Sequence, residues 1–383
     1  MVKIAIIGSR GYPSTYGGFE TFVRRIVPYL RDKGHEVTVY GRSDSSRIGS
    51  VIEFVDGARV VTTAGIDTKA ASALSYGLTA SLHARAQPYD AAIVVNVANG
   101  YFLPILARAG IPTLVNVDGI EWERDKWSSI AKTVFKLGAL ATKRYATEIV
   151  VDSEAIGDYW RANFRRESTF IPYGADVVEA KDHQLVLDIG LRPDSYALAV
   201  ARLVPENNVE LFLDALEIMG GANRAVVVGS AIGWPYIENR LKRLEKEGCL
   251  TWLGHVGDQR LLNALWSNAG VYFHGHSVGG TNPALLQAMG CGAPVVALDT
   301  PFNREVLGEV AGLFTPLDAA VAARTLSTVL SDSELRSHMA LAGIERIRSH
   351  YDWEAVCEKY EAALGDISGR GAAPGESVVD HEA

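Results

Sequence analysis

The stretch HGHSVGGTNPALLQAMGCGAPVVAL, residues 274–298, decides how the rest of the chain is read. Gly279-Gly280 allows a close backbone approach, because no side chain stands in the way. Thr281 and Asn282 follow, and Asn ranks among the best N-cap residues. Pro283 falls at the first helical position, where its missing N–H does no harm. Leu285, Ala288 and Met289 then share one face at i, i+3, i+4 spacing. Gly290 and Gly292 close the helix, and Pro294–Leu298 reads as a short buried strand. The stretch is a glycine turn, a capped helix and a strand. Its helix N-terminus is bare of bulky groups, with N–H donors and a positive dipole end. A diphosphate is the obvious anion for such a place. An ordinary capped helix in an α/β domain fits the same letters equally well.

The same alternation runs on both sides of this stretch. In the second half SYALAVARL, RAVVVGS, LTWLGHV, GVYFHGH and GLFTP read as strands. The helices VELFLDALEIM, YIENRLKRLEKEG and DQRLLNALWSNA lie between them, and helices over 318–330 and 334–349 follow. YDWEAVCEKYEAAL is a final amphipathic helix. In the first half KIAIIG is a parallel-type strand ending in glycine. The loop SRGYPSTYGG leads into an amphipathic helix whose stripe is Phe22, Ile26, Tyr29 and Leu30. HEVTVYGR, 59–63, 90–95, 112–117 and EIVVDS read as further strands, with helices over 69–86, 101–109, 128–147 and 155–164 between them. Strand, glycine loop, helix, strand is the unit that binds phosphates. Two familiar fingerprints fail: the dinucleotide pattern would need glycine at Arg10 and Pro13, and no Gly-Lys-Ser/Thr is present.

The expected fold class is therefore α/β, with two Rossmann-like doubly wound domains facing across a cleft. Glycine loops line it, Gly17-Gly18 from the first domain and Gly279-Gly280 from the second. The boundaries expected are 1–172 and 173–349, with the helix at 350–366 packing back on the first domain. The tail 367–383 is glycine-, serine- and charge-rich and reads as disordered.

The totals of the 383 residues agree with two globular domains: 48% hydrophobic and 21% charged residues. A net charge of −8 argues against nucleic acid as a partner. Cys249, Cys291 and Cys357 have no paired spacing, which suits a reducing, cytoplasmic compartment. The first residues read as a strand and not as a signal peptide. No apolar run is long enough to span a bilayer. His255, His274 and His276 lie on two strand ends without a supporting carboxylate, so no metal is expected.

Several stretches together resemble the retaining glycosyltransferases of family 4, which have the GT-B fold. They are YGGFET (16–21), VDSEAI (151–156), IPYGAD (171–176), ARLVPENN (201–208), LGHV (253–256), GGTNPALLQAMGCGAPVVA (279–297) and NREVLG (303–308). YGGFET, NVDGIEWERDKW, PENN and HSVGGTNP are similar to a branch that includes bacterial rhamnosyltransferases of surface-polysaccharide assembly. The resemblance implies a nucleoside-diphosphate sugar donor, a dTDP- or UDP-sugar, with no other cofactor. It implies that Gly17, Gly18, Arg202, Asn207, Val256, Gly279, Gly280, Thr281, Asn282 and Gln287 hold this donor. Arg202 matches the family arginine on the diphosphate, and Asn207 stands where a lysine is usual. Gly279 and Gln287 stand where the family carries a Glu-x7-Glu pair. Asp118 falls where a histidine commonly meets the transferred sugar, and Asp118 and Arg202 are the expected catalytic residues. Asp118-Gly119 also suits a tight turn.

The first domain is expected to hold the acceptor, a saccharide implied to be lipid-linked at the inner membrane face. Glu20, Trp122 and Arg124 are its candidate contacts. Glu20 fits a helix N-terminal carboxylate as well, Trp122 a core residue, and Arg124 with Lys126 a solvated face. Basic and aromatic groups such as Arg24, Arg25 and Trp127 are the expected peripheral contacts with a membrane. Two other readings share the fold or the site: a sugar-nucleotide 2-epimerase, and a non-catalytic nucleotide-sugar-binding assembly protein.

Overall fold

The computed structural model of the protein describes residues 1–13, 17–42, 51–66, 72–124, 127–179, 181–220, 224–231 and 233–370. Tyr16, Lys126, the first residues of the helix expected at 69–86 and the tail after Arg370 lie outside these. The first half runs β1 (Lys3–Ile7), α1 (Gly18–Asp32), β2 (Glu36–Arg42), β3 (Val51–Val55), β4 (Ala58–Thr63), α2 (Ser72–Ala84) and β5 (Ala91–Val95). It continues with α3 (Leu103–Arg108), β6 (Thr113–Asn116), α4 (Ser129–Tyr145), β7 (Glu148–Val151), α5 (Glu154–Phe164) and β8 (Thr169–Phe170). Among the described residues these strands form one sheet in the order β3-β4-β2-β1-β5-β6-β7-β8. Every pairing is parallel except β3 with β4.

That hairpin escaped the sequence reading, although its turn is legible. Asp56-Gly57 joins the strands with φ of 48° and 74°. An Asp-Gly pair with both residues at positive φ is the strongest short-range hairpin signal. The helix expected at 101–109 is also modified. The side-chain oxygen of Asn96 accepts from the Ala98 N–H and starts a 3-10 turn over Val97–Phe102, before Pro104 opens α3.

The second half begins with α6 (His183–Asp188), β9 (Tyr196–Val200), α7 (Val209–Met219), β10 (Arg224–Val228), α8 (Pro235–Lys246), β11 (Leu250–Gly254) and α9 (Gln259–Ser267). Then come β12 (Val271–His274), α10 (Pro283–Gly290), β13 (Val295–Leu298), α11 (Pro301–Leu307), β14 (Gly312–Thr315), α12 (Ala319–Ser331), α13 (Ser333–His350) and α14 (Trp353–Arg370). Its sheet is parallel, in the order β11-β10-β9-β12-β13-β14. The strand order reverses beside β1 in one sheet and beside β9 in the other. Ligands of open α/β sheets bind outside the carboxyl ends of the strands at such switch points.

Helix α10 forms as its letters dictate. Asn282 Oδ1 accepts from the Ala284 N–H at 2.9 Å, and Leu285, Ala288 and Met289 are buried. Helix α1 buries Phe22, Val23, Ile26, Val27 and Leu30 against the sheet. The last helix returns to that first half, where α14 packs on α1, β5 and β6. Phe22 meets Tyr360 with ring centroids 4.5 Å apart, and Asn116 donates to the Tyr360 hydroxyl at 2.7 Å. Trp353 is buried over Gly174, whose missing Cβ leaves room for the indole. The expected disordered tail begins too early, at 367. Ile367 is fully buried and the helix runs on to Arg370, because the apolar spacing Tyr360, Ala363, Leu364, Ile367 holds for one more turn.

Candidate functional site

A cleft of about 630 Å³ opens between the carboxyl edges of the two sheets. That size suits a small-molecule ligand. Three helix N-termini meet it, at Gly17 and Gly18 of α1, Val209 of α7 and Asn282 and Pro283 of α10. Their positive dipole ends add to the charge of Arg202, which stands exposed at the cleft just after β9. No hydrogen bond or ion pair engages its guanidinium among the described residues. One cation and three helix ends converging on one space make an anion site.

Most of the expected donor residues line this cleft: Gly17, Gly18, Arg202, Asn207, Gly279, Gly280, Thr281 and Asn282. Val256 and Gln287 do not. Gln287 sits a turn into α10, where its amide oxygen accepts from Gln259 at 3.4 Å. Asn207 lines the cleft with its amide already engaged. Its Nδ2 donates to the Arg202 carbonyl at 2.6 Å, and its Oδ1 lies 2.6 Å from His276 Nδ1. It is therefore a brace between the Arg202 loop and β12, and the expected free donor toward a phosphate is not available. With Nδ1–H donating to Asn207, His276 in its neutral form keeps an acceptor at Nε2, on the side of Gly279. Its neighbour His274 is buried, and burial together with His276 lowers its pKa to about 3. His274 is a neutral imidazole. Its Nδ1 bonds the Tyr272 hydroxyl at 3.1 Å, and its buried Nε2 has no partner.

The first-domain side is charged and largely buried. Asp118 sits at φ 60°, a region that non-glycine residues rarely adopt, with its N–H donated to Asn116 Oδ1 at 3.0 Å. Asp152, at the end of β7, is 2% exposed. Burial and then the nearby Asp118 push its pKa well above the usual carboxylate range, and its Oδ1 finds no partner. A Cβ added to Gly280 would lie 1.9 Å from that oxygen. The glycine turn of the second domain is thus seated on a buried carboxyl of the first. Gly119 and Gly279 also meet: a Cβ on Gly119 would lie 3.0 Å from the Gly279 Cα. The sequence reading quoted VDSEAI without giving Asp152 a role. The signal was there, since Asp152 ends a strand at the same sheet edge as Asp118.

Arg124 is placed differently from expectation. Its Nε lies 2.9 Å from Glu121 Oε1, and both residues are buried. Its Nη2 fills the space beside Gly279, where a Cβ would come within 2.9 Å. The residue expected at the acceptor thus reaches the donor side, into the place a longer side chain at 279 would take. Trp122 is a correction. It is buried in the first-domain core, its Nε1 donates to the Tyr159 hydroxyl at 3.0 Å, and its ring meets Phe164 at 5.8 Å. A flat amphipathic ring suits a sugar face, but here the apolar body covers core. Glu20 lines the cleft but folds back on its own helix end. It accepts from the Arg10 N–H at 3.3 Å and lies against Gly17, as an N3 glutamate reaching back to its N-cap does.

The domains are stitched beside the cleft. Thr281 Oγ1 donates to the Asp152 carbonyl. Ser153 Oγ and the Glu154 N–H donate to Glu305 of α11, at 2.7 and 3.1 Å. A carboxylate of one domain thereby caps a helix of the other, and its partial burial raises the Glu305 pKa. Among the described residues no group of His, Cys, Asp and Glu side chains is placed to hold a metal ion.

Comparison with solved structures shows the fold. Sucrose-phosphate synthase of Thermosynechococcus elongatus superposes with a TM-score of 0.83 at 18% identity, over 97% of this chain and 100% of that one. The chain has the GT-B fold. HepE of Anabaena, solved in complex with UDP and glucose, gives a TM-score of 0.75 at 18% identity over 96% of this GT-B chain and 100% of its own. Residues 191–346 match the family described as glycosyl transferases group 1, and residues 1–176 match a domain of unknown function, DUF1972. O-antigen chain mannosyltransferase B of Escherichia coli is 26% identical over 165 residues, 42% of each chain. Phosphatidyl-myo-inositol mannosyltransferase of Mycobacterium leprae (strain TN) is 37% identical over 114 residues, 29% of this chain and 30% of that one. The alignments thus span less than half the length of these curated relatives.

Proposed function

We propose that this GT-B chain is a glycosyltransferase that moves a sugar from a nucleoside diphosphate to a saccharide acceptor. The observation that carries the reading is the meeting of Arg202 with the N-termini of α1, α7 and α10 in one interdomain cleft. As the glycosidic bond breaks, negative charge grows on the leaving phosphate, and fixed positive ends aimed there lower the barrier. The family resemblance adds retention of configuration and a site that works without metal. The acceptor oxygen then bonds the anomeric carbon on the face the diphosphate leaves, and its proton passes to the departing phosphate oxygen. The dTDP- or UDP-sugar of the sequence reading remains the proposed donor. HepE, with UDP and glucose bound, supports the uridine form. The branch resemblance points to rhamnose, while the names of the relatives point to mannose. A lipid-linked acceptor at the inner membrane face completes the proposal.

One feature of the cleft keeps the 2-epimerase in view: Asp118 and Asp152 supply two carboxyl groups that the second domain lacks. The deciding test is a panel of nucleoside-diphosphate sugars with and without saccharide acceptor, read by nucleoside diphosphate release. Acceptor-dependent release supports transfer. An epimeric nucleotide sugar formed without acceptor supports the epimerase, and donor binding with neither release nor epimerisation supports a binding protein.

A further inference from the structure

We infer that the outer face of α4 docks on a membrane surface bearing anionic headgroups. Helix α4 carries Lys132, Lys136, Lys143 and Arg144 and no acidic residue, in a chain of net charge −8. On the same helix Ile130 is 78% exposed, Leu137 50%, Leu140 44% and Tyr145 42%. Single exposed leucines are ordinary, but Ile130, Leu137 and Leu140 follow a line, with Tyr145 off it. Ile130 to Leu137 is two turns, Leu137 to Leu140 is i+3, and Leu140 to Arg144 is i+4. Lys132, Lys136 and Lys143 form a second row along one flank of that ridge. An apolar ridge beside a basic row is the pattern of a helix lying in a bilayer interface.

The inner side of α4 explains why the leucines face out. The helix buries only Gly138, Ala139 and Thr142 fully, and it packs closely on the 97–102 turn. A Cβ on Gly100 would lie 2.2 Å from the Gly138 carbonyl oxygen. The contact is made by small residues and backbone, so the large apolar side chains on the other face have no core to enter. The opposite, inner side of α4 borders the site: Phe135 shares the face of Gly138, Ala139 and Thr142, its ring lies 5.1 Å from that of Trp127 in a tilted contact, and both line the cleft. The basic and aromatic groups named from sequence are placed elsewhere: Arg24 donates to Thr21 Oγ1 at 3.3 Å on α1, Arg25 pairs with Asp176, and Trp127 lines the cleft.

Charge selects the occupant. A second copy of this face would set one lysine row against another. A bilayer surface with negative headgroups complements the row and accepts the ridge. Among the described residues no helix is long and apolar enough to cross a membrane. The inference deepens the proposed lipid-linked acceptor. Its evidence is separate, because vesicle binding is read without any sugar substrate.

The test is flotation of the full chain with phosphatidylcholine vesicles, with or without phosphatidylglycerol, at low and high salt. The expected result is capture by the phosphatidylglycerol vesicles at low salt and release near 1 M salt, where the Debye length falls to about 3 Å. Lys136→Gln and Lys143→Gln should each weaken capture about five-fold. Leu137→Ser should weaken it too, whereas Leu341→Ser, an exposed leucine of α13, should not. Circular dichroism melts check the fold, and the two lysine variants keep the test alive if Leu137→Ser does not fold. Absence of capture at low salt, or capture that the α4 variants leave unchanged, would overturn the inference. So would self-association in sedimentation velocity that Leu137→Ser abolishes, which would give the face to a second copy.

Discussion

Across the cleft, the second domain presents Gly275, Gly279, Gly280 and Asn282, whereas the first presents Asp118, Glu121, Arg124 and Asp152. The glycine side works through backbone: a turn without side chains, a capped helix and its dipole. The charged side works through side chains taken out of water, which are costly unless neighbours compensate them. The two depend on each other. The second domain can bring its backbone so close only because positions 279 and 280 have no Cβ, and Arg124 and Asp152 fill the space left. A donor held here would have its diphosphate against helix ends and its sugar near the buried charges.

The largest effect expected on the anion side is from Arg202→Ala. The arginine is exposed, so the fold should survive with a change of about 0.5 kcal/mol or less. Turnover at saturating donor should fall about 10²–10³-fold, as when one electrostatic donor to a transition state is lost. Near-normal turnover of the folded variant would leave the helix ends alone as the anion site. Asn207→Lys, which would restore the cation usual in the resembling family, should fail to help. The lysine would lose the bonds to the Arg202 carbonyl and to His276, so turnover should fall, and a rise would restore Asn207 to the donor-binding role.

The contact between the two sides is tested by Gly280→Ala. Its methyl group would overlap the Asp152 carboxyl, and such overpacking costs about 1–3 kcal/mol. Asp152→Ala should relieve it, so a double-mutant cycle by denaturant unfolding should give a coupling of about 1 kcal/mol or more. Additive effects would mean that the domains do not meet here in solution.

Acid should weaken the protein through His274. Its folded pKa of about 3 lies below the unfolded value of about 6.5, so the unfolded chain binds the extra proton. The stability it contributes is present above pH 6.5 and is lost as pH falls toward 3, at about 1.4 kcal/mol per pH unit. Asp152 acts in the opposite sense. Its folded pKa is raised, so its contribution is present at low pH and lost as pH rises above the unfolded value near 4. Asp152→Asn should therefore gain stability over the parent as pH rises from 4 to 7, measured by urea unfolding. A difference independent of pH would show that Asp152 is ionised in the fold.

What was legible in the sequence follows this same division. The glycine turn, Asn282 cap and apolar face of α10 are set by neighbours within one helical turn, so their spacing carries them. The alternation of strands and helices was legible for the same reason. Asp152 was not, because its meaning arises from Gly280, which is 128 positions away. Arg124 beside Gly279 is a tertiary fact of the same kind. Asn207 reads as a donor until the His276 and Arg202 loops are seen to engage both ends of its amide.

The smallest effect expected is at Trp122, and it asks whether the charged side extends to an aromatic sugar platform. Trp122 is 8% exposed, with its N–H bonded to Tyr159 and its ring against Phe164. Trp122→Phe keeps an aromatic body in that space and removes the indole N–H. One lost hydrogen bond of this kind costs about 1 kcal/mol. The smaller ring leaves a partial void that adds to this cost, so melting should move by a few degrees at most. The KM for a saccharide acceptor should stay at the parent value, since no face of the indole lines the cleft. A rise in acceptor KM without a loss of stability would return Trp122 to the acceptor site. That result would also mean that the 121–124 segment opens when the acceptor arrives.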